Sequence, residues 1–431
     1  MTEGKVKIAD LIEFSRDGEW GAGEPSSDGV EMLVVRGTDF ESISNGNWRS
    51  VPTRFLKRKH AELKEVRPGA ILIETAGGTK DRPTGRTVYL RPSMFRGLDK
   101  PVTCASFARF IRVREEQVDA EWLFWLFQAW YANGVMRKYH TQHTGVARFQ
   151  WTTFSEAEGV VLPDRAAQRK VASILTAYDD LIENNLRRIK LLEEMAQLLF
   201  REWFVQFRVP GHEGVQFVDA GGGPLPKGWR RGTIGQLCTK MKSGGTPSRS
   251  NPAYWDGGQI PWLKTKEMRD SFVLVAEERI TEAGLAGSSA SLFPAGTLVI
   301  AMYGTPTAGN LGILTEPSAF NQAALAVVPD EGKTTREFLF YALMSLRQYF
   351  HTIWQGAAQQ NLSKEKISST VIVIPPVEIA RRFSTEVLPM WDLILNLRRA
   401  NQNLRQARDL LLPRLISGEL DVSQLPIEVP A

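Results

Sequence analysis

The chain is written twice. At an offset of 228, "MLVVRGTDF" (32–40) faces "IPWLKTKEM" (260–268), each an apolar run followed by a cation (Arg36 or Lys264) and an acid (Asp39 or Glu267). At an offset of 227, "RPGAILIETAGGT" (67–79) faces "PAGTLVIAMYGT" (294–305), with Gly69 over Gly296, Ile73 over Ile300 and Gly77 over Gly304. "TGVARFQW" (144–151) then faces "QGAAQQNL" (355–362), and "VVLPD" (160–164) faces "VIPPV" (373–377), at an offset near 212. A duplication constrains a fold more than any single motif, because whatever one half forms the other must also form. The drop in offset puts extra residues in the first copy between Gly77 and Gly145, and insertions of that kind belong in surface loops.

The short apolar runs, entered through turns and left through glycines, read as buried strands. After Pro163 and Pro375 both copies turn helical. Leu175, Tyr178, Ile182, Asn185, Ile189, Leu192, Ala196, Leu199 and Trp203 recur at alternating spacings of three and four, as a coiled-coil seam requires. Val387, Met390, Ile394, Leu397, Asn401, Leu404, Arg408, Leu411 and Leu415 do the same, with Asn401 and Arg408 as polar interruptions. Two such helices, one closing each half, predict pairing with each other. "LLFREWFVQF" and "LLLPRLISGELDV" end them, Gly418 serving as a C-terminal stop.

The fold class is therefore α+β: two pseudosymmetric mixed α/β domains and two long antiparallel helices forming a coiled coil. The expected boundaries are 1–162 for the first domain, 163–207 for its helix and 208–228 for a Gly/Pro-rich connector. The second domain takes 229–374, its helix 375–418 and a tail 419–431.

Composition narrows the function classes. At 43% AVILMFWYC and 23% charged residues the chain is globular, and its net charge of +5 permits a polyanionic partner without requiring one. Cys104 and Cys238 are the only cysteines and lack metal-ligand spacing, which argues for a reducing compartment. No run of eighteen apolar residues and no apolar leader is present, so the expectation is a cytoplasmic protein with no membrane partner.

Catalytic motifs are hinted at and do not hold. "NPAY" (251–254) resembles an amino-methyltransferase signature, yet it follows a polar loop rather than a buried strand, and no glycine-rich cofactor turn accompanies it. "PDEGK" (329–333) compresses the letters of a nuclease site into one turn, where its acids cannot converge from separate strands. His140 and His143 lack a third metal ligand. The expectation is no catalytic, cofactor or metal residue in this chain.

What remains is recognition. Arginine and lysine grip phosphates or guanine, and asparagine and glutamine read adenine. The candidate DNA contacts are Arg36, Lys80, Arg82, Arg86, Arg148 and Gln150 in the first half. In the second they are Lys264, Lys266, Tyr303, Asn310, Gln359 and Gln360. Phe200, Trp203 and Phe204 are aromatic candidates for partner contact, with core packing as the alternative.

The paired scaffold segments, "QQNLSKEKI" with "VIPPVEIARRF", and above all the two helix ends resemble the specificity subunit of type I restriction-modification enzymes over nearly the whole chain. The resemblance implies two target recognition domains, each reading one half of a split target in double-stranded DNA. It also implies two modification subunits and restriction subunits as partners, with S-adenosylmethionine, ATP and Mg²⁺ bound by them. The helix seam from Leu175 to Trp203 spans roughly 43 Å at ~1.5 Å per residue, comparable with the ~34–36 Å between half-sites one DNA turn apart.

Overall fold

The computed structural model describes residues 4–78, 82–142, 146–304, 307–355, 362–423 and 425. Its contacts divide the chain into two units, Met1–Asn185 with Asn401–Ala431, and Leu186–Ala400. Each long helix, Arg165–Phe200 and Val377–Ile416, is thus shared between the units rather than standing as a segment of its own.

In the first unit a four-stranded antiparallel sheet runs in the order Ile12–Asp17, Ala108–Val113, Ile71–Glu74, Thr87–Tyr89. A three-stranded sheet places Gly29–Val35 between antiparallel Thr53–Lys57 and parallel Val102–Cys104. Val6–Lys7 pairs with Gly159–Val160 and so closes the domain on itself. The helix Ala120–Ala132 starts where the Asp119 carboxylate accepts from the N–H groups of Glu121 and Trp122. Its run Trp122–Phe127 is buried on every side, and Leu175, Leu412 and Leu415 of the long helices join the same core.

The second unit repeats this pairing for pairing. Cys238–Ser243, Ala324–Pro329, Leu298–Ala301 and Leu311–Leu314 reproduce the first sheet. Glu278–Ile280, Ile260–Leu263 and parallel Ala319–Phe320 reproduce the second, and Arg230–Thr233 pairs with Val371–Ile374. Among the described residues the second unit's large sheet has one strand more than the first's: Ser271–Val273 adds in parallel to Leu311–Leu314.

The repetition reaches single hydrogen bonds. Gly18 N–H donates to the Ala108 carbonyl at 2.9 Å, and Gly244 N–H to that of Ala324 at 3.0 Å. A Cβ at Gly18 would stand 1.9 Å from the Cys104 carbonyl oxygen, and one at Gly244 2.1 Å from that of Phe320. Glycine is the only residue either position admits, because the obstacle is backbone that cannot step aside.

Leu175, Ile182, Ile189, Ala196 and Trp203 on the first helix and Val387, Ile394, Leu397, Asn401 and Leu415 on the second are buried seam positions, while those between them are half-buried, and near the end of the second helix Leu412 rather than Leu411 is the buried residue. The helices are antiparallel within each unit. In the first unit Arg408 reaches Asp179 at 2.5 Å and Asn185 donates to Asn401 at 2.8 Å; in the second Arg398 reaches Glu193 at 2.9 Å and Phe200 meets Phe383 at 5.9 Å between ring centroids. Both polar interruptions of the second seam therefore have partners on the first helix. Asn401 is buried and its amide also donates to the Ile182 carbonyl. Replacing Asn401 by Ala orphans the Asn185 amide and should lower stability by about 1–2 kcal/mol. Leucine at both positions should recover that loss while removing the polar mark of register. Urea titration of the single and double variants checks both outcomes.

The first helix ends in a π-helical turn, Arg201–Val205. Of the two expectations for Phe200, Trp203 and Phe204, partner contact and core packing, the structure shows core packing: they are 7%, 4% and 6% exposed and lie in the core of the second unit. The Phe204 ring stands 4.8 Å from Phe338 and 5.1 Å from Phe383. A sharply apolar helix end needs a cover, and its own domain supplies it.

The segment that follows each helix is held by a cation near the start of the other. Lys170 donates its ammonium to the carbonyls of Val422, Ser423 and Leu425, and Arg382 donates to that of Pro210. Val422 is 4% exposed, inserted in the first unit's core.

Candidate nucleic-acid interface

Four loops meet at one sheet end in each unit, and the backbone frame that gathers them is duplicated. In the first repeat Thr75 N–H donates to the Phe107 carbonyl at 2.9 Å and Phe149 N–H to the Thr75 carbonyl at 2.8 Å. In the second Met302 N–H donates to the Ala323 carbonyl at 2.7 Å and Leu362 N–H to the Met302 carbonyl at 2.8 Å. Ala105 N–H donates to the Val35 carbonyl at 2.8 Å, and Asn321 N–H to that of Leu263 at 3.0 Å, which brings in the loops beginning at Arg36 and Lys264. Those two also match: Arg36 N–H donates to Asp39 Oδ2 at 2.9 Å and Lys264 N–H to Glu267 Oε2 at 2.7 Å, each closing a 3₁₀ turn.

The side chains on this common frame differ. Several basic candidates serve the frame itself. Arg86 grips Glu74 with two hydrogen bonds, 2.9 and 2.7 Å, and donates to the Gly37 carbonyl at 2.8 Å. Glu74 is 2% exposed, and a Cβ at Gly37 would stand 2.6 Å from its Oε1, so the loop lies directly on the ion pair. Hydrogen bonding to Glu74 raises the Arg86 pKa. Arg36 likewise binds buried Asp39 through Nε and Nη2, both at 2.9 Å. Burial alone would raise the Asp39 pKa, but hydrogen bonds from the Arg36 side chain and backbone outweigh it and hold the carboxyl below its usual range. Arg36 and Arg86 thus act as loop staples, each guanidinium held by a buried carboxylate, while the Arg36 side chain keeps 40% of its surface exposed.

In the second repeat Lys264 pairs with Glu278, and Lys266 pairs with Glu277 at 2.5 Å while staying exposed. Asn310 spends its amide on the Met268 carbonyl at 3.1 Å. Tyr303 is half-buried, and burial pushes its hydroxyl pKa up. Arg82, Arg148 and Gln150 are exposed on the loop side of the first frame. Lys80, Gln359 and Gln360 lie outside the described residues.

Two further side chains belong with the interface. Arg249 lies 3.6 Å from the Trp255 ring centroid and 4.9 Å from that of Trp262 and pairs with Glu278 at 2.5 Å, a cation held in place with half of its side chain exposed. Its signal was the arginine just before "NPAYW". Phe107 is exposed at the first junction, and its signal was an aromatic where the second copy has alanine.

The motifs set aside as catalytic have structural duties. Asn251 accepts from Ala253 N–H to cap the turn Pro252–Tyr254, and a Cβ at Gly284 would stand 2.6 Å from the Tyr254 carbonyl oxygen. Asp330 accepts from Gly332 N–H and pairs with Lys333 at 2.7 Å, all within one turn. His140 Nδ1 accepts from Thr84 N–H at 3.1 Å. His143 lies outside the described residues.

Residues 226–385, the span of the second frame, match the family described as the type I restriction modification DNA specificity domain. This chain is similar to type I specificity subunits. The MjaIX specificity subunit of Methanocaldococcus jannaschii is 26% identical over 319 residues, 73% of this chain and 72% of that protein. The HindI specificity subunit of Haemophilus influenzae is 26% identical over 333 residues, 63% and 72% of the two chains. The crystal structure of the type I restriction-modification S subunit from M. genitalium matches over 95% of each chain with a TM-score of 0.59 and 14% identity, a likeness of fold.

Proposed function

We propose that this chain is the DNA sequence-recognition subunit of a type I restriction-modification complex, reading a bipartite, asymmetric target with one half-site per recognition domain. The observation that carries this reading is the duplicated junction: one backbone frame presents Phe107, Arg148 and Gln150 in one copy and a different set, Tyr303 and Lys266, in the other. A shared frame with unlike side chains is what two readers of unlike sequences need.

In this reading the chain is non-catalytic. Two modification subunits, binding S-adenosylmethionine, methylate adenine, and restriction subunits use ATP and Mg²⁺. The partner face is a stripe on the first helix. Leu191, Met195 and Leu198, at i, i+4 and i+7, are 59%, 52% and 56% exposed, on the side opposite the buried seam. A contiguous exposed apolar stripe marks an interaction surface. Among the described residues no helix is long and apolar enough to cross a membrane, and a DNA-reading complex of this kind works in the cytoplasm.

Methylome sequencing of cells with and without the gene tests the reading. The expected result is loss of N6-methyladenine at one asymmetric split motif. An unchanged methylome in a strain with working modification subunits would point to a non-DNA adaptor. Methyl transfer or cleavage by the purified chain alone, without partners, would make it an enzyme and overturn the assignment.

A further inference from the structure

We propose that Phe107 is a base-contacting residue of the first recognition domain and reads the 5-methyl group of a thymine. The inference rests on the DNA-reading role above. A single apolar side chain in water needs no account, but Phe107, 55% exposed, is not isolated. It sits in a turn closed by Ala108 N–H donating to the Ala105 carbonyl at 2.9 Å. Its own carbonyl accepts twice, from Thr75 at 2.9 Å and Ala76 at 3.2 Å. The phenyl group therefore springs from a fixed point of the frame rather than from a loose loop.

The next segment of the junction is bound to the same strand end. Gly77 N–H donates to the Ala147 carbonyl, and Ala76 bridges to Arg148. On either side of buried Ala147 stand Val146, 51% exposed, and exposed Arg148. The arrangement offers apolar surface beside a cation able to meet phosphate. The second repeat has the same backbone point at Ala323, whose carbonyl accepts from Met302, but Ala323 is 7% exposed and presents nothing. The aromatic is thus an addition specific to one half, as a sequence-reading residue should be, and no fold requirement explains it.

A phenyl ring neither donates nor accepts a conventional hydrogen bond, so it cannot read the polar pattern of a base edge. The one apolar feature of base edges in the major groove is the thymine methyl group, and phenylalanine is among the side chains that contact it. The contact would separate thymine from cytosine at one position of one half-site.

The test uses the full chain and a pool of duplexes with randomised positions, sequenced after selection for binding. The native chain is expected to require thymine at one position of one half-site. Phe107→Ala should lose that preference alone and keep every other, with an unchanged melting temperature because the side chain is exposed. Replacing the thymine by deoxyuridine should weaken native binding about fourfold, the equivalent of ~0.8 kcal/mol for one buried methyl-sized group, and should leave Phe107→Ala indifferent. Retention of all preferences by Phe107→Ala, or equal weakening on thymine and deoxyuridine duplexes as an unstacking wedge would give, overturns the proposal while leaving the recognition role intact. A native chain that selects no sequence overturns the recognition role itself, and this contact with it.

Discussion

Phe204→Ala is expected to lower the stability of the second unit by about 3–5 kcal/mol, the range for deleting a fully packed phenyl group. The ring is 6% exposed and meets Phe200, Phe338, Phe383 and Trp229 at centroid distances between 4.8 and 5.9 Å. Four aromatic neighbours anchored on four segments of chain cannot all collapse into the void, so the cavity cost adds to the lost transfer energy. The measurement is denaturant unfolding followed by tryptophan fluorescence, to which Trp203, Trp229 and Trp391 of this unit contribute. A loss below 1 kcal/mol would mean that the ring is free to face a partner. The stripe variant Leu191→Ser with Met195→Ser makes the contrast, since it should leave unfolding nearly unchanged and weaken co-purification with the modification subunits.

Glu74→Ala should be comparably severe, about 3–5 kcal/mol, for an electrostatic reason. Deleting a carboxylate that is 2% exposed strands Arg86, whose side chain is 20% exposed, in a site built around its charge. The pair as a whole need not be strongly stabilising, because both ions give up water to form it; what is costly is half of it. Arg86 also holds the Gly37 carbonyl, so its release should free the loop at Arg36. The expected record is a lower unfolding midpoint together with faster amide exchange at residues 36–39. Glu74→Gln, which keeps the shape and one acceptor, should lose less. If Glu74→Ala unfolds like the native chain, Arg86 is not committed to the frame and returns to the list of DNA contacts.

The parts of this molecule that were readable in its letters are those with a period. The duplication shows in matched strings, and the seams show because spacings of three and four put Ile182, Ile189 and Ala196 on one side of a helix. Register between strands has no such signature: nothing in "LVV" and "VTC" announces that Gly29–Val35 and Val102–Cys104 run parallel. The aromatic helix end was ambiguous for a different reason. "FREWF" has the composition of a docking patch and of a core plug alike, and only the presence of Phe338 and Phe383, far along the chain, decides between them.

The cations were the least legible. Arg36 and Arg86 look like any loop arginine until topology brings a buried acid against each. A hint was available in "ILIE", where Glu74 continues a wholly buried strand and must be neutralised by something. Arg148 and Gln150 meet no such acid and stay outside. Phe107 was visible only by subtraction, as the place where two otherwise matched strings differ in bulk at a point of fixed backbone.

The clasp of Lys170 on the last described turns has a consequence for how the molecule comes into being. The second unit is one unbroken stretch, 186–400, whereas the first is assembled from 1–185 and 401–431. On a ribosome, the side of the helix that carries Val171, Ala172 and Leu175 emerges long before Leu412, Leu415 and Val422 exist to cover it. The half whose first residue is made first is therefore the half completed last, and it waits, with part of its core open, for the second half to be made.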